Sequence, residues 1–490
     1  MKRVVATLLP LMAACFAGCP RDEVDPPAAN QTQASPQVSA PAVLSPTAAK
    51  APVVATPAAA APAAPSAVPA SDTAGSPPAV APAVPLDAEH ARVAEVLKYD
   101  PADPLADLEK ADALDRAAGQ GKKLDAKIPK RGCALIESPR RIWPGRGIAT
   151  VAALGDDFVI AGYAPDAQGE RLFVVQLTAA GKAEPVASLR VEPPHPGVRA
   201  APPGLAANES FGVTLAYANG AGVLLMQRLQ LGSSHGATQS VELGRGVDTR
   251  FAPAVAYGKR GPLVAYTQGT TPMRTQLVRI GAKSEILGTH DITPTAMGAA
   301  APAFVLGARP LAIVTADARN GMSPIARTTL ADDGTPRGSD LVTPVGMMSQ
   351  PPQLTAAASS FGTFVGYTGL GTAATSAVGL VQIAPKPGAP EALVKGIAYG
   401  ALHVAAVAGE DTLVLAADAP KAAGKAPSHT IQLTRVDEKG RGTPLSIESV
   451  TGDATQVGLA RADDGRLGVV FSASDAVYFA QARCDEPREL

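Results

Sequence analysis

Three short patterns in this 490-residue chain carry residue types able to do chemistry, and their surroundings decide what each is worth. Gly232-Ser233-Ser234-His235-Gly236 has the G-x-S-x-G spacing that presents a nucleophilic serine. A nucleophile elbow needs a strand, a sharp turn and then a helix, whereas this segment joins two strand-like runs, so no acyl-transfer centre is expected. Asp332-Asp333-Gly334 and Asp463-Asp464-Gly465 put two carboxylates side by side. They lack the alternating oxygen ligands of an EF-type calcium loop and read as Asp-Gly hairpin turns. Asp317-Ala318-Arg319-Asn320-Gly321 is the better calcium candidate, although no metal or cofactor is expected. The six histidines are scattered with no pair at ligand spacing, so strand or surface positions are their default.

A wider constellation suits binding better than catalysis. Arg146, Arg199 and Arg250 each fall a few residues before a strand-like run, and Gln350 and Tyr399 hold related positions before later runs. Three guanidinium groups around one opening match the carboxylate or phosphate of a small anionic ligand; the plainer reading is solvated surface arginines.

The elements that must position these residues are hairpins, and they recur. FAPAVAYGKRGPLVAYTQG at Phe251–Gly269 is two runs of small and apolar residues joined by a tight turn. Similar units begin at Gly147, Gly204, Ala300, Pro351, Ala401 and Gln456. Both halves of each unit fit strand periodicity better than helix periodicity. A period of about 50 residues is that of propellers and solenoids, which also escapes the size limit of a single core. Net charge is −1 with 18% charged and 4% aromatic residues, so neither a nucleic-acid surface nor a base-stacking platform is expected.

On these repeats the segment from about Cys133 to Cys484 resembles β-propeller domains in general. It has no Trp-Asp pair, no Gly-Gly doublet of the kelch kind, no Trp in each unit and no Asp-box, so no named subfamily is implied. The resemblance implies an all-β, seven-bladed propeller in which the first strand of each blade lines a central channel. The last unit holds strands at Val457–Ala460, Leu467–Ala473 and Val477–Cys484 and lacks a fourth, and CALIE at Cys133–Glu137 is the spare candidate upstream. Antiparallel pairing of the N- and C-terminal strands then closes the ring and sets Cys133 against Cys484 as a disulfide. A free buried thiol pair or a metal site is the alternative, poorly served by two cysteines without neighbouring histidines. The resemblance puts short turns on one face. The opposite face receives the longer loops, among them 192–204, 315–324, 343–350 and 417–429, where any ligand or partner is expected.

The N-terminus reads as an export signal: Lys2 and Arg3 precede an apolar run, Val4–Gly18, too short to span a bilayer. Phe16-Ala17-Gly18-Cys19 resembles the lipobox of bacterial lipoproteins, with Phe16 in place of the usual Leu. That resemblance implies cleavage before Cys19, lipidation of Cys19 and an outer-membrane location, since Pro20 rather than Asp follows the cysteine. The membrane is then touched only through the lipid. Residues 19–86 are a disordered Pro/Ala-rich tether, with few bulky apolar residues to build a core. A short helical segment follows at 87–131, with Asp87 as N-cap and a second helix starting at Asp103-Pro104. The expected organisation is a signal peptide at 1–18, tether at 19–86, helical segment at 87–131 and propeller at 132–486. The expected function is a monomeric envelope binding or protein-interaction scaffold. The alternatives are an envelope hydrolase or lyase at the channel mouth, and a structural spacer.

Overall fold

The computed structural model describes residues 120–485 except 145–146, 167–168, 192–200, 232–235, 238, 271, 294–297, 318–321, 348–352, 369–377, 395–402, 421–428, 449–453 and 474–475. By contact the chain divides into Met1–Pro82 and Ala83–Leu490, and only the second carries described residues. Cys19, the tether and both expected helices lie outside them; Gln120–Arg131, the described end of the segment, is not helical.

Every helix or strand among the described residues is a β-strand. β1 (Ala134–Pro144) precedes a succession of antiparallel meanders. The first comprises β2 (Ile148–Leu154), β3 (Asp157–Asp166), β4 (Gly169–Leu177) and β5 (Ala183–Val191). Next come β6 (Gly204–Asn208), β7 (Gly212–Ala218), β8 (Val223–Gln230), the short β9 (Gly236–Ala237) and β10 (Val241–Arg245). They are followed by β11 (Ala254–Gly258), β12 (Gly261–Gln268), β13 (Arg274–Ile280) and β14 (Ile286–Asp291). Two meanders, β15 (Ala299–Leu306), β16 (Ala312–Asp317), β17 (Met322–Leu330), β18 (Pro336–Met347) and β19 (Leu354–Ser359), β20 (Gly362–Thr368), β21 (Val378–Ala384), β22 (Glu391–Val394), join into one eight-stranded sheet. The join is a parallel pair, Val305 beside Ala356 and Leu306 beside Ala357. Then come β23 (Val404–Ala408), β24 (Leu413–Pro420), β25 (His429–Asp437), β26 (Gly440–Arg441) and β27 (Leu445–Ile447). β28 (Thr455–Arg461), β29 (Leu467–Ser472) and β30 (Ala476–Arg483) end the series.

The first strands of the meanders stand side by side in the order β2, β6, β11, β15, β19, β23, β28, and β28 adjoins β2 again. Close approach at the centre of that ring selects small residues. A Cβ on Gly204 would sit 2.3 Å from the carbonyl oxygen of Pro253, so only glycine fits there. The middle strands are sandwiched between two neighbouring meanders and are buried on both faces, as in β16 and β29, which explains their unbroken apolar runs. Outer strands such as β14 are largely exposed. The core is correspondingly divided: one cluster lies between each meander and the next, for example Val159, Leu172, Val213 and Leu215 between β2–β5 and β6–β10.

The first and last described strands meet in one sheet of order β1-β30-β29-β28, with Ala134 opposite Arg483 and Pro144 opposite Ala476. Cys133 and Cys484 are disulfide-bonded across 351 residues. The closing strand is longer than CALIE and carries three register shifts, because it must also seat Trp143, buried and stacked 4.5 Å from Phe173 of β4. Buried Arg140 reaches the Gly181 carbonyl at 2.7 Å, and Gln481 donates to Glu137 at 2.6 Å. The free edge of β1 is covered in turn: Leu124 N donates to Ile136 O and Ser138 N to Lys122 O. A covered edge cannot template pairing with another chain.

All four stretches read as long loops are partly strand: Gly204 opens β6, and Thr315–Asp317 and Met322–Pro324 belong to β16 and β17. Thr343–Met347 continues β18, with Met347 opposite Met322 and Pro344 opposite Pro324. Prolines in the sequence suggest a break, but a ladder tolerates them at irregular register, and a register shift falls there. Ala417–Pro420 and His429 likewise belong to β24 and β25, which leaves a shorter connection.

Candidate functional site

The starts of the inner strands surround the mouth of a central cavity of about 260 Å³, on the side to which the crossings between meanders return. About half of its lining is Ala, Pro and Gly and most of the rest Val, Leu and Phe, and the polar side chains described there are Thr150, Arg250, Gln353, Thr355 and His403.

A repeated local device fixes where the inner strands β2, β15, β19 and β23 begin. The residue ending the second strand of a meander accepts a hydrogen bond from the backbone just before the first. Asp317 takes the Gly298 N–H at 3.3 Å, Thr368 the Gln353 N–H at 3.0 Å and Asp418 the His403 N–H at 2.7 Å. In two other meanders the same end reaches a neighbour: Thr267 accepts from Ala301 N at 3.1 Å, and Ser472 donates to Gly147 O. Asp317 and Asp418 are therefore nearly inaccessible, and their first duty is architectural.

His403 and Asp418 go further. Nδ1 of His403 lies 3.4 Å from Asp418 Oδ2, so the carboxylate that positions the backbone also faces the ring, and the histidine lines the cavity. An aspartate behind an imidazole fixes its tautomer and orientation. His403 escaped sequence reasoning because a lone histidine defaults to an unremarkable strand position. The signal was its place immediately before VAAVA, opposite an aspartate closing the next strand. Gln353, directly before β19, was missed for the same reason.

Of the residues expected at the mouth, Arg250 lines it. Arg146, Arg199, Gln350 and Tyr399 lie outside the described residues. Arg250 is half-exposed and held in a bidentate pair with Asp248, Nε to Oδ1 at 2.9 Å and Nη2 to Oδ2 at 2.6 Å. Its guanidinium carbon stands 5.7 Å from the centre of the Phe251 ring. Partial burial pushes the Asp248 carboxyl upward, but the Arg250 hydrogen bonds and charge outweigh it and hold the group below its ordinary value. At neutral pH the pair is ionised, so Arg250 brings a largely compensated charge and its remaining donors to the opening.

The other patterns resolve structurally. Asp333 accepts from Thr335 N at 3.0 Å and from Arg279 Nη1 at 3.1 Å, Asp332 pairs with Lys259, and Asp464 accepts from Arg466 N at 2.9 Å. Gly334 and Gly465 occupy positive φ of 82° and 84°, the turn geometry Asp-Gly favours. Among the described residues no group of three or more His, Cys, Asp or Glu side chains could hold a metal. Gly236 lies in β9 on a sheet edge; Gly232–His235 and Ala318–Gly321 are outside the described residues.

No family model and no curated protein matches this chain. Solved structures do. An ulvan lyase, a polysaccharide lyase, is 7% identical at TM-score 0.45, covering 71% of this chain and 96% of its own. The WD40 domain of Toxoplasma gondii coronin is 11% identical at TM-score 0.43, covering 74% and 90%. The endo-arabinase of Bacteroides thetaiotaomicron is 13% identical at TM-score 0.32, covering 61% and 99%. At such values none transfers an activity to this chain.

Proposed function

We propose that the chain is an envelope lipoprotein whose meanders are the blades of a seven-bladed β-propeller, held on the outer membrane by lipidated Cys19 through the Pro/Ala tether. In this reading it is a monomeric binding or interaction module, and its contact surface is the channel mouth. The blade count is supported by the ring of inner strands from β2 to β28 and back, and by a core cluster at each seam. The observation that carries binding rather than catalysis is the composition of the mouth. Its described lining is small and apolar with a few fixed polar groups, as in ligand and partner sites, and it includes no carboxylate. Arg250, Gln353 and His403 supply the directional contacts.

A photo-crosslinking amino acid at Gln353 should trap one dominant partner in native envelopes, while the same group at Lys182 in the β4–β5 turn should not. Equal trapping at both positions, or none at Gln353, would refute the mouth as the contact surface. Cys19→Ser should release the protein from the membrane fraction or block its processing. Native protein in the soluble fraction would count against the lipid anchor.

The hydrolase or lyase reading draws support from one feature, the His403–Asp418 pair, which resembles a base with its orienting carboxylate. It still requires an acid opposite the histidine, and the described lining offers none. A spacer needs no concavity, and this molecule has one on each face.

A further inference from the structure

The third strand of every meander carries Arg or Gln opposite the second or third residue of the strand before it. Gln176 faces Val159, Arg228 faces Thr214, Arg279 faces Leu263 and Arg327 faces Val314. Gln382 faces Phe364, Arg435 faces Val414 and Gln481 faces Gly468. The shorter side chain bonds within its own sheet: Gln176 to Asp157 at 2.7 Å, Gln382 to Ala384 O at 3.1 Å, Gln481 to Glu137 at 2.6 Å. The longer one crosses to the next meander. Arg228 donates to Gly281 O at 2.9 Å, Arg279 to Thr335 Oγ1 at 2.9 Å, and Arg435 to Cys484 O at 2.8 Å.

Arg327 breaks the series. It makes no hydrogen bond to any described residue, whereas Arg228, Arg279 and Arg435, whose Nε groups are equally buried without a partner, each donate through Nη. Asp340, on its own sheet, is 3.8 Å from Nη2, beyond hydrogen-bond reach, and 73% exposed. Where the other arginines meet a neighbouring turn, Arg327 meets space. It lines a cleft of about 770 Å³ bounded by β15–β18, β19–β22 and the β23–β24 turn at Ala408–Glu410, on the face opposite the channel mouth. Arg309 lines the same cleft, with the hydroxyls of Thr329, Ser359, Thr363 and Ser360, the last donating to Asp411 at 3.0 Å, and Glu410 is its one carboxylate. A guanidinium presents five N–H donors and no acceptor, so a shielded one without protein acceptors awaits oxygen atoms from elsewhere. The cleft is of small-molecule size.

We propose that this cleft is a second binding site, for a small hydroxylated oxyanion such as a sugar acid or sugar phosphate. Arg327 and Arg309 hold the carboxylate or phosphate, and the hydroxyls of Thr329, Ser359 and Thr363 hold the polyol. Two guanidiniums face Glu410, while Asp340, 3.8 Å from Arg327, is largely in solvent, so the cleft favours an anion, and a planar fork suits either oxyanion. The site is separate from the channel mouth and does not depend on the reading given to it.

Calorimetric titration of the full chain with D-glucuronate, D-glucose 6-phosphate and D-glucose tests this. At least one anionic probe should saturate at millimolar concentration or below, neutral glucose should not, and the stronger anion tells carboxylate from phosphate. Arg327→Gln should weaken that binding by about tenfold or more, the worth of one charge-assisted hydrogen bond. Glutamine occupies the same position in three other meanders, so the variant is expected to fold. Arg279→Gln should leave the titration unchanged. The proposal fails if neither anion saturates, if glucose binds as well as the anions, or if Arg327→Gln binds as tightly as the native chain.

Discussion

The seam where the first and last described strands meet and the seam between β15–β18 and β19–β22 solve one problem by opposite means. At the first, β2–β5 packs against the sheet that joins β1 to β30, with Trp143, Phe158, Phe173 and Phe479 in the shared core. Arg140 bonds across the seam, and a disulfide ties β1 to the end of β30 within the closing sheet. At the second, the inner strands pair directly in parallel, yet the shared core is built largely of Ala, Val and Ile, with Tyr367 its largest member. The arginine that should cross this seam bonds nothing described, and a cleft opens instead. A ring of repeats has no free end once it is closed, so its stability concentrates where closure occurs. Looseness elsewhere is then tolerated, and tolerated looseness is where a binding site can be built.

The largest effect should come from removing the closing strand. Deleting residues 122–144 strips β30 of its partner and exposes the apolar faces under Trp143 and Ile142. Loss of a cooperative thermal transition is expected by calorimetry, with aggregation through the bared β30 edge. A shortened chain that still melts as one unit would show that closure is not where the stability resides.

Next is the covalent tie. Cys133→Ser with Cys484→Ser frees a loop of 351 residues, worth roughly 5 kcal/mol in the chain-entropy model. The β1–β30 hydrogen bonds survive the change, so the thermal midpoint should fall by several degrees while the native far-UV spectrum is kept. An unchanged midpoint would mean that non-covalent closure suffices.

How much of this contrast the sequence discloses follows from the range over which each signal acts. Hairpins announce themselves locally, through an apolar run, a Gly-bearing turn and a second run, so β11–β12 and β28–β29 are readable from a dozen residues. The closing pair was legible because two cysteines bracket the repeats and the last unit lacks a strand. Register is not local. The Arg/Gln position recurs at uneven spacing of about 50 residues, and becomes visible only when each third strand is aligned on the second it pairs with. His403 stayed hidden because its partner Asp418 lies on the adjacent strand. Arg250 was placed at the mouth from its offset alone, but its pairing with Asp248 depends on the tight turn between them, which offset does not reveal.

Single arginines sharpen the comparison further. Arg279→Gln removes hydrogen bonds to Thr335 and Asp333 from a side chain only 15% exposed. A loss of about 1–3 kcal/mol is expected in urea melts, because the acceptors across the seam keep no donor of equal reach. A cost near zero would make the crossing arginines ornamental and remove the ground for treating Arg327 as exceptional.

The smallest effect is the one on which the contrast turns. Arg327→Gln in the absence of ligand takes away no hydrogen bond to described protein, only a loose ion pair at 3.8 Å with an exposed aspartate that solvent already screens. It also removes a partly shielded guanidinium, which offsets the loss of its packing. Urea midpoints of the variant and the native chain should agree within about 0.5 kcal/mol, the ordinary range for a substitution that touches no special feature. If Arg327→Gln destabilises the free protein as much as Arg279→Gln does, then Arg327 fastens its seam like the others, and the open seam loses its distinction from the closed one. If the free protein is indifferent to the change while glucuronate or glucose 6-phosphate binding is not, the arginine is kept for the ligand rather than for the fold.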